Sequence, residues 1–363
     1  MHYAFLPLLS RNRLTINFTS AMKAIFLIKT GKPETAFEAR EIPVPVPEEN
    51  QVLIKTEASG LNFADVMARL GMYKDAPPIP CILGYELVGR IEKIGKGVRN
   101  LIAGQRVLTF TRFGAYAEYV VADYRGVVPI PQDMDAGVAC ALATQYCTAW
   151  YAAEEMVKLN EGDHVLVNAA AGGVGIALVQ IAKRKKCIVY GTCGSDEKIE
   201  FLKKSGVDFP INYLKQDFYE AIRNIRGKQG LDVVFDSVGG SNFKKGKNLL
   251  GHGGRIVGYG AAERVGGSSF FSTLSLAWNF GFFSPITLIM KSQAIIGVNM
   301  LRIAETKPEI LQRCIQQVLT LTMQEELKPH VGGIFPAERI SEAHAFLESR
   351  KSIGKIIVSW DNN

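Results

Sequence analysis

The stretch HVLVNAAAGGVGIALVQIAK, residues His164 to Lys183, constrains the fold of this chain more than any other. A short run of β-type residues passes through a turn of alanines and glycines into apolar residues at helical spacing, so the stretch reads strand, tight turn, helix. Within it Ala170, Gly172 and Gly175 keep the spacing G-x-G-x-x-G, with alanine in the first place. In that pattern Gly172 lets a pyrophosphate approach the backbone and Gly175 lets helix and strand lie close. The helix N-terminus holds the negative charge, and Gly173 and Val174 belong to the same binding turn. A glycine pattern by itself is weak evidence. Here a second strand follows at CIVYGT, Cys187 to Thr192, which completes a dinucleotide-binding unit.

The rest of the chain supplies a matching frame. From Tyr146 onward β-runs and helical patterns alternate: HVLVN, VGIALVQIAKRK, CIVYGT, DEKIEFLKKSG, DVVFDSVGG, RIVGYG. Such alternation predicts a parallel, doubly wound sheet. Upstream, from Met22 to about Ala143, short β-runs (KAIFLI, QVLIKTEASG, ELVGRIEKIG, QRVLTF, YAEYVVA) are separated by glycine and proline, which predicts a β-rich, barrel-like lobe. PEILQRCIQQVLTLTMQ reads as an amphipathic helix and KIIVSW as a closing strand. The expected class is therefore α/β, divided into residues 1–21 as an extension, 22–145 as the β-rich domain, 146–300 as the cofactor domain, and 301–363 as a return to the first. The opening 21 residues carry Arg11, Arg13 and no acid, so a transit-like leader stays open beside the simple extension.

Composition narrows the partners. With 47% hydrophobic residues in 363 the chain can bury a large core. The net charge of +7 comes from cations dispersed among acids, and the densest run, Lys183 to Lys186, falls where a helix ends and cations suit its dipole. No motif supports binding to nucleic acid. The six cysteines contain no C-x-x-C pair, which argues against disulfides and structural zinc and for a reducing, cytoplasmic setting.

The end of the second strand bears on the cofactor. An acid there binds the ribose hydroxyls of NAD, whereas this strand ends Gly191-Thr192-Cys193-Gly194-Ser195. Asp196 and Glu197 come after it and open a helix. Lys198, one turn in, can meet a 2′-phosphate together with the Ser195 hydroxyl, and Gly194 is counted with them as cofactor-binding. NADPH is the expected cofactor.

Four motifs carry a family resemblance: SGLNFADVMARLGMY (59–73), GYELVGRIEKIGKGV (84–98), AAAGGVGIALVQIAK (169–183), and GTCGSDEK followed by INY (191–198, 211–213). On these the chain resembles the zinc-free quinone oxidoreductases of the medium-chain dehydrogenase/reductase superfamily, and within them most the vesicle amine transport protein branch. The resemblance spans Met22 to Trp360. It implies a GroES-like β-rich catalytic domain beside a Rossmann cofactor domain. The three catalytic zinc ligands of the metal-dependent relatives fall on Asn62, Tyr85 and Thr144, none of them thiolate or imidazole, so no metal is expected. The implied reaction is hydride transfer from NADPH to an electron-poor acceptor, a quinone or an α,β-unsaturated carbonyl. Asn62 and Tyr73 then line the substrate side and hydrogen-bond the acceptor oxygen. Thr148 lies beside the nicotinamide, and Tyr213, Lys198 and Arg350 meet the 2′-phosphate. Asp65 and Glu86 are read as structural acids, Asp65 bonding the backbone of its own turn, and Cys147 as buried filler.

Two readings from other classes stand beside this one. The uncharged segment Val265 to Met290 suggests a membrane-associated or lipid-handling protein that keeps the fold, although glycine, proline and hydroxyl residues break it as a spanning helix. An RNA-binding role is permitted by the basic charge. For assembly, QAIIGVNM, Gln293 to Met300, is strand-like and nearly uncharged. As a sheet edge it would pair with its own copy in a homodimer, flanked by the aromatic segment around Trp278.

Overall fold

The computed structural model describes residues 20–260, 280 and 283–360. The extension up to Thr19 and most of the uncharged segment, Trp278 included, lie outside the described residues.

Strands β1 (Ala21–Leu27), β2 (Phe37–Pro43) and β4 (Cys81–Ile82) form a small antiparallel sheet in the order β2-β1-β4. A second sheet runs β15-β16-β3-β5-β6-β8, built from β3 (Gln51–Leu61), β5 (Glu86–Ile94), β6 (Arg106–Phe110), β8 (Val127–Pro129), β15 (Val331–Pro336) and β16 (Lys355–Ser359). Strand β7 (Tyr119–Asp123) pairs with β3 beside it. The end of the chain thus returns to the sheet of its beginning. The register of this return matters: β16 lies antiparallel to β3 with Ile356 opposite Leu61, and β3 lies antiparallel to β5 with Ser59 opposite Leu87. Three distant segments, ending at Lys355, Asn62 and Glu86, are brought side by side.

The third sheet is parallel throughout, in the order β11-β10-β9-β12-β13-β14. Its strands are β9 (His164–Val167), β10 (Ile188–Cys193), β11 (Phe209–Asn212), β12 (Leu231–Asp236), β13 (Leu250–Gly258) and β14 (Ala294–Gly297). The doubly wound α/β class expected from sequence is the one observed. β9 shows why: Val165 and Val167 join the core on one face, with Leu178 and Val179 of the helix Gly173–Arg184, while Leu166 joins Phe218, Ile222 and Phe243 on the other. A strand buried on both faces has no use for polar alternation, which is why HVLV reads as a continuous apolar run.

Two features depart from expectation. The strand anticipated over Gln293 to Met300 is shorter, because Asn299 accepts from Leu301 N and Arg302 N and so caps a helix, Met300–Thr306. The basic run is neutralised rather than merely placed at a helix end: Lys183 meets Asp208, Arg184 meets Glu326, Lys185 meets Glu154 and Lys186 meets Glu161. A run whose every cation has an acid partner offers little to a polyanion.

Candidate active site

A cavity of about 1160 Å³ lies where the C-terminal ends of the parallel strands meet the β-rich lobe. The glycine turn forms one wall. Ala169 adopts φ 53°, turning the chain off β9 into the helix Gly173–Arg184, whose first in-helix hydrogen bond is Ile176 N to Gly172 O. The N–H groups of Gly173, Val174 and Gly175 therefore have no partner inside the helix, and all three residues line the cavity with Gly172. A Cβ on Gly175 would stand 2.4 Å from Ala169 O, so only glycine permits this close approach. Ala170 differs from expectation. It is fully buried away from the cavity, its methyl directed at Gly191 of β10, and it acts as a spacer between strands rather than as a wall.

Behind the turn a buried network ties three strand ends together. Asn168 Nδ2 donates to Asp236 Oδ1 (2.9 Å), Thr192 Oγ1 donates to Asn168 Oδ1 (3.1 Å), and Asp236 Oδ2 accepts from Gly239 N (2.7 Å). Sequence reasoning missed it, although each residue sits at the end of its strand. The segment before β16 closes the turn from outside: Gly354 N donates to Ala171 O (2.9 Å), and Ser352 and Gly354 line the cavity. Gln145 is another wall residue that was missed. Its Oε1 and the Thr144 hydroxyl are buried without a hydrogen-bond partner among the described residues, and both residues face the cavity. Unpaired polar atoms in a wall are what a polar ligand would satisfy. Thr148 lies one turn on, its hydroxyl donating to Thr144 O (2.6 Å).

Lys198, Tyr213 and Arg350 come together on one stretch of the cavity with Gly194. Lys198 Nζ donates to Arg350 O (2.7 Å), and burial pulls its ammonium pKa below the usual range. A Cβ on Gly194 would meet the Tyr213 hydroxyl at 2.5 Å, so the glycine is needed for the tyrosine to lie over it. Asp196 is held elsewhere by Lys215 (2.6 Å) and Asn212 (3.0 Å). Ser195 has a further role: its hydroxyl accepts from Lys198 N (3.2 Å), capping the helix Asp196–Lys204, and the residue is not part of the cavity wall.

On the opposite wall stand Asn62, Tyr73 and Tyr85. Tyr73 meets Tyr85 edge-on at 6.3 Å between ring centroids, and Tyr85 packs on Phe113 at 4.8 Å. Burial raises the pKa of both phenols, so they remain neutral donors at ordinary pH. Asn62 is held on both sides: its Nδ2 donates to Glu86 Oε1 (2.8 Å) and its Oδ1 accepts from Lys355 Nζ (2.9 Å). Lys355 and Glu86 are themselves fully buried and ion-paired. Lys355 was not anticipated, since a lysine opening an apolar strand reads as a solvated strand end. Asp65 does bond its own turn, accepting from Asn62 N (2.9 Å), and reaches further, accepting from Gly84 N (3.0 Å). Burial pushes its carboxyl up to about 7 against the pull of those two donors.

Asn62, Tyr85 and Thr144 do not form a zinc donor set. The amide is engaged by its neighbours, the phenol is packed among aromatic rings, and zinc prefers thiolate and imidazole. Among the described residues no cluster of three or more His, Cys, Asp or Glu side chains is placed to hold a metal. All six cysteines are buried and unbridged.

Comparison with known proteins gives the relationships. Residues 48–132 match the alcohol dehydrogenase GroES-like domain and residues 173–316 the zinc-binding dehydrogenase domain. The human synaptic vesicle membrane protein VAT-1 homolog is 34% identical over 332 residues, 90% of this chain and 84% of that protein. Pig quinone oxidoreductase is 31% identical over 340 residues, covering 93% of this chain and 97% of the relative. The crystal structure of Escherichia coli quinone oxidoreductase complexed with NADPH superposes with a TM-score of 0.81 at 27% identity, over 93% of this chain and 99% of that one.

Proposed function

The chain belongs to the medium-chain dehydrogenase/reductase superfamily, close to the VAT-1 homologues and the quinone oxidoreductases, and from that premise we propose that it is an NADPH-dependent oxidoreductase whose acceptor is a quinone or an α,β-unsaturated carbonyl. One observation carries the reading: a single cavity joins the open N–H groups of Gly173 to Gly175, the cluster of Lys198, Tyr213 and Arg350, and the donors of Asn62 and Tyr73.

The cofactor supplies a hydride when bound. The free N–H groups at the helix N-terminus suit a pyrophosphate, and Thr144, Thr148 and Gln145 offer polar atoms where a nicotinamide would reach the other lobe. Lys198, Tyr213 and Arg350 hold the 2′-phosphate. Asp196, the acid nearest the end of the second strand, is engaged by Lys215 rather than held for ribose hydroxyls. Asn62 and Tyr73 hydrogen-bond the acceptor oxygen as charge develops on it. Because the donor set at Asn62, Tyr85 and Thr144 is wrong for zinc, the acceptor must bring its own electrophilicity. A screen of NADPH consumption over quinones and enones, with NADH alongside and a chelator in a parallel series, tests the reading. Turnover with several such acceptors that survives chelation is expected; no turnover with any of them, or turnover lost with stoichiometric zinc, would refute it.

A second feature favours an assembly. The helix Pro285–Lys291 buries no residue and leaves Ile286, Ile289 and Met290 at least 69% exposed, next to β14, the edge strand of the parallel sheet among the described residues. Apolar surface beside an open edge needs cover. A second copy of the chain pairing along β14 provides it, and light scattering should give the mass of a dimer. The rival cover is a lipid surface. Among the described residues no helix is long and apolar enough to cross a membrane, so that contact would be peripheral, and flotation with liposomes would reveal it.

A further inference from the structure

Asn62 has two polar ends, and a side-chain amide can in general be turned either way about its last bond. Here the neighbours decide. Lys355 Nζ can only donate and lies 2.9 Å from one end; the Glu86 carboxylate can only accept and lies 2.8 Å from the other. The oxygen must therefore face Lys355 and the nitrogen Glu86. With the amide flipped, ammonium would face amide N–H and carboxylate would face carbonyl oxygen, two like-signed contacts in a buried site. The three groups are 6% exposed for Asn62 and fully buried for the other two. One N–H of the amide is spent on Glu86. The other has no partner among the described residues, and the side of Asn62 not covered by protein is the cavity wall it helps to form.

We infer that Glu86 and Lys355 are positioning residues that fix the polarity of Asn62, so that the cavity is offered an N–H donor and never the amide oxygen, and that this donor selects a substrate oxygen on which negative charge accumulates. The inference rests on the proposed reduction and sharpens it: the acceptor oxygen, a carbonyl that becomes an enolate or hydroquinone oxyanion, sits at Asn62 Nδ2. The fold supports the arrangement at some expense. Gly60 cannot carry a side chain, because a Cβ there would lie 2.2 Å from Glu86 Oε1 and 2.6 Å from Lys355 Cε. The pair also comes from strands held in register on either side of β3, so the amide is clamped by rigid elements rather than by a loop.

The test uses 4-nitrophenolate, an aryl oxyanion, titrated into the full-length protein with NADP⁺ above the pKa of the probe and followed by its visible band. Wild type should bind it. Asn62→Ala should weaken binding about ten- to hundredfold, the range for losing one hydrogen bond to a charged group. Lys355→Met combined with Glu86→Gln removes both charges that fix the amide, leaving neighbours it can meet either way round, and should weaken binding at least about tenfold, yet cost nothing further in the Asn62→Ala background. A purely structural role would instead add its loss to that of Asn62→Ala. NADPH affinity should stay within about twofold in all three variants. Should the Lys355→Met, Glu86→Gln pair fail to fold, Asn62→Asp decides, since it keeps the shape, replaces donor with acceptor, and must lose the phenolate more completely than Asn62→Ala. No phenolate binding by wild type, unchanged binding by Asn62→Ala, or additive losses would overturn the inference. Phenolate binding without NADPH turnover on any quinone or enone would instead break the proposed function alone.

Discussion

On the parallel-sheet side the cavity wall is mostly bare backbone: Gly172 to Gly175 carry almost no side chain, and the groups turned to the cavity are main-chain N–H. On the facing side the wall is made of side chains such as Asn62, Tyr73 and Tyr85, backed by buried charged groups that are already paired: Glu86 and Lys355 with Asn62, and Asp65 with two backbone amides. The first wall is cheap to keep folded and depends on space; the second depends on buried charge whose partners must all be present. A substitution on the first wall should therefore cost binding, and one on the second should cost stability before it costs anything else.

The largest effect should come from Gly60→Ala, which touches no ligand. Its methyl would enter the space of Glu86 Oε1 and the Lys355 stem. Separating a buried ion pair costs about 3–5 kcal/mol, so urea unfolding should show a loss of that order. A loss below about 1 kcal/mol would mean that the pair can relax, and that the second wall is no more constrained than the first.

Next is the pH dependence contributed by Asp65. Its folded-state pKa is about 7, raised by burial above the ordinary carboxyl value of 3.8. Between those values the folded protein keeps a proton that the unfolded chain releases. The stabilising contribution is thus complete below about pH 4 and is lost as the pH rises through about 7, at up to about 1.4 kcal/mol per pH unit. Asp65→Asn should flatten that slope. It should also lower stability at every pH, because one of the two N–H groups on Asn62 and Gly84 would face an amide nitrogen. Thermal denaturation of both proteins from pH 5 to pH 8 compares the slopes; equal slopes would place the titration elsewhere.

The bare wall has its own test in Lys198→Ala. Lys198 is half-buried, capped by Arg350 O, and sits in the cavity with Tyr213 and Arg350. A charge-assisted contact to phosphate is worth about 1.5–3 kcal/mol, so NADPH should bind about ten- to hundredfold more weakly while NADH binding and the unfolding midpoint barely move. Equal native affinity for the two cofactors would remove Lys198 from the 2′-phosphate.

The two walls also differ in how they could be read from sequence. The glycine turn is local: strand, turn and helix lie within twenty residues, and the spacing of Gly172 and Gly175 encodes its geometry directly. The position of β14 and the closing strand followed from local pattern too, with Asn299 ending the edge strand early through a capping bond that reads equally well as a polar loop residue. The Asn62, Glu86 and Lys355 cluster is not local. Nothing near Lys355 distinguishes a buried ammonium from a solvated one; only the register of β16 on β3, and of β3 on β5, brings it to Glu86. Family resemblance supplied Asn62 as a wall residue but not the partners that orient it.

The smallest effect separates neighbours on the first wall. Ser195 and Lys198 are expected to share the 2′-phosphate, and the Ser195 hydroxyl also accepts from Lys198 N as the cap of the helix Asp196–Lys204. Replacing such a cap with alanine costs about 1 kcal/mol. Ser195→Ala should therefore lower stability by that amount and leave the preference for NADPH over NADH within about threefold of wild type. The cap also sets where Lys198 begins its reach, so a modest loss for both cofactors together is consistent with a frayed first turn. A loss confined to NADPH, as large as that of Lys198→Ala, would put the hydroxyl on the phosphate after all, and the backbone wall would then depend on side-chain chemistry nearly as much as the wall it faces.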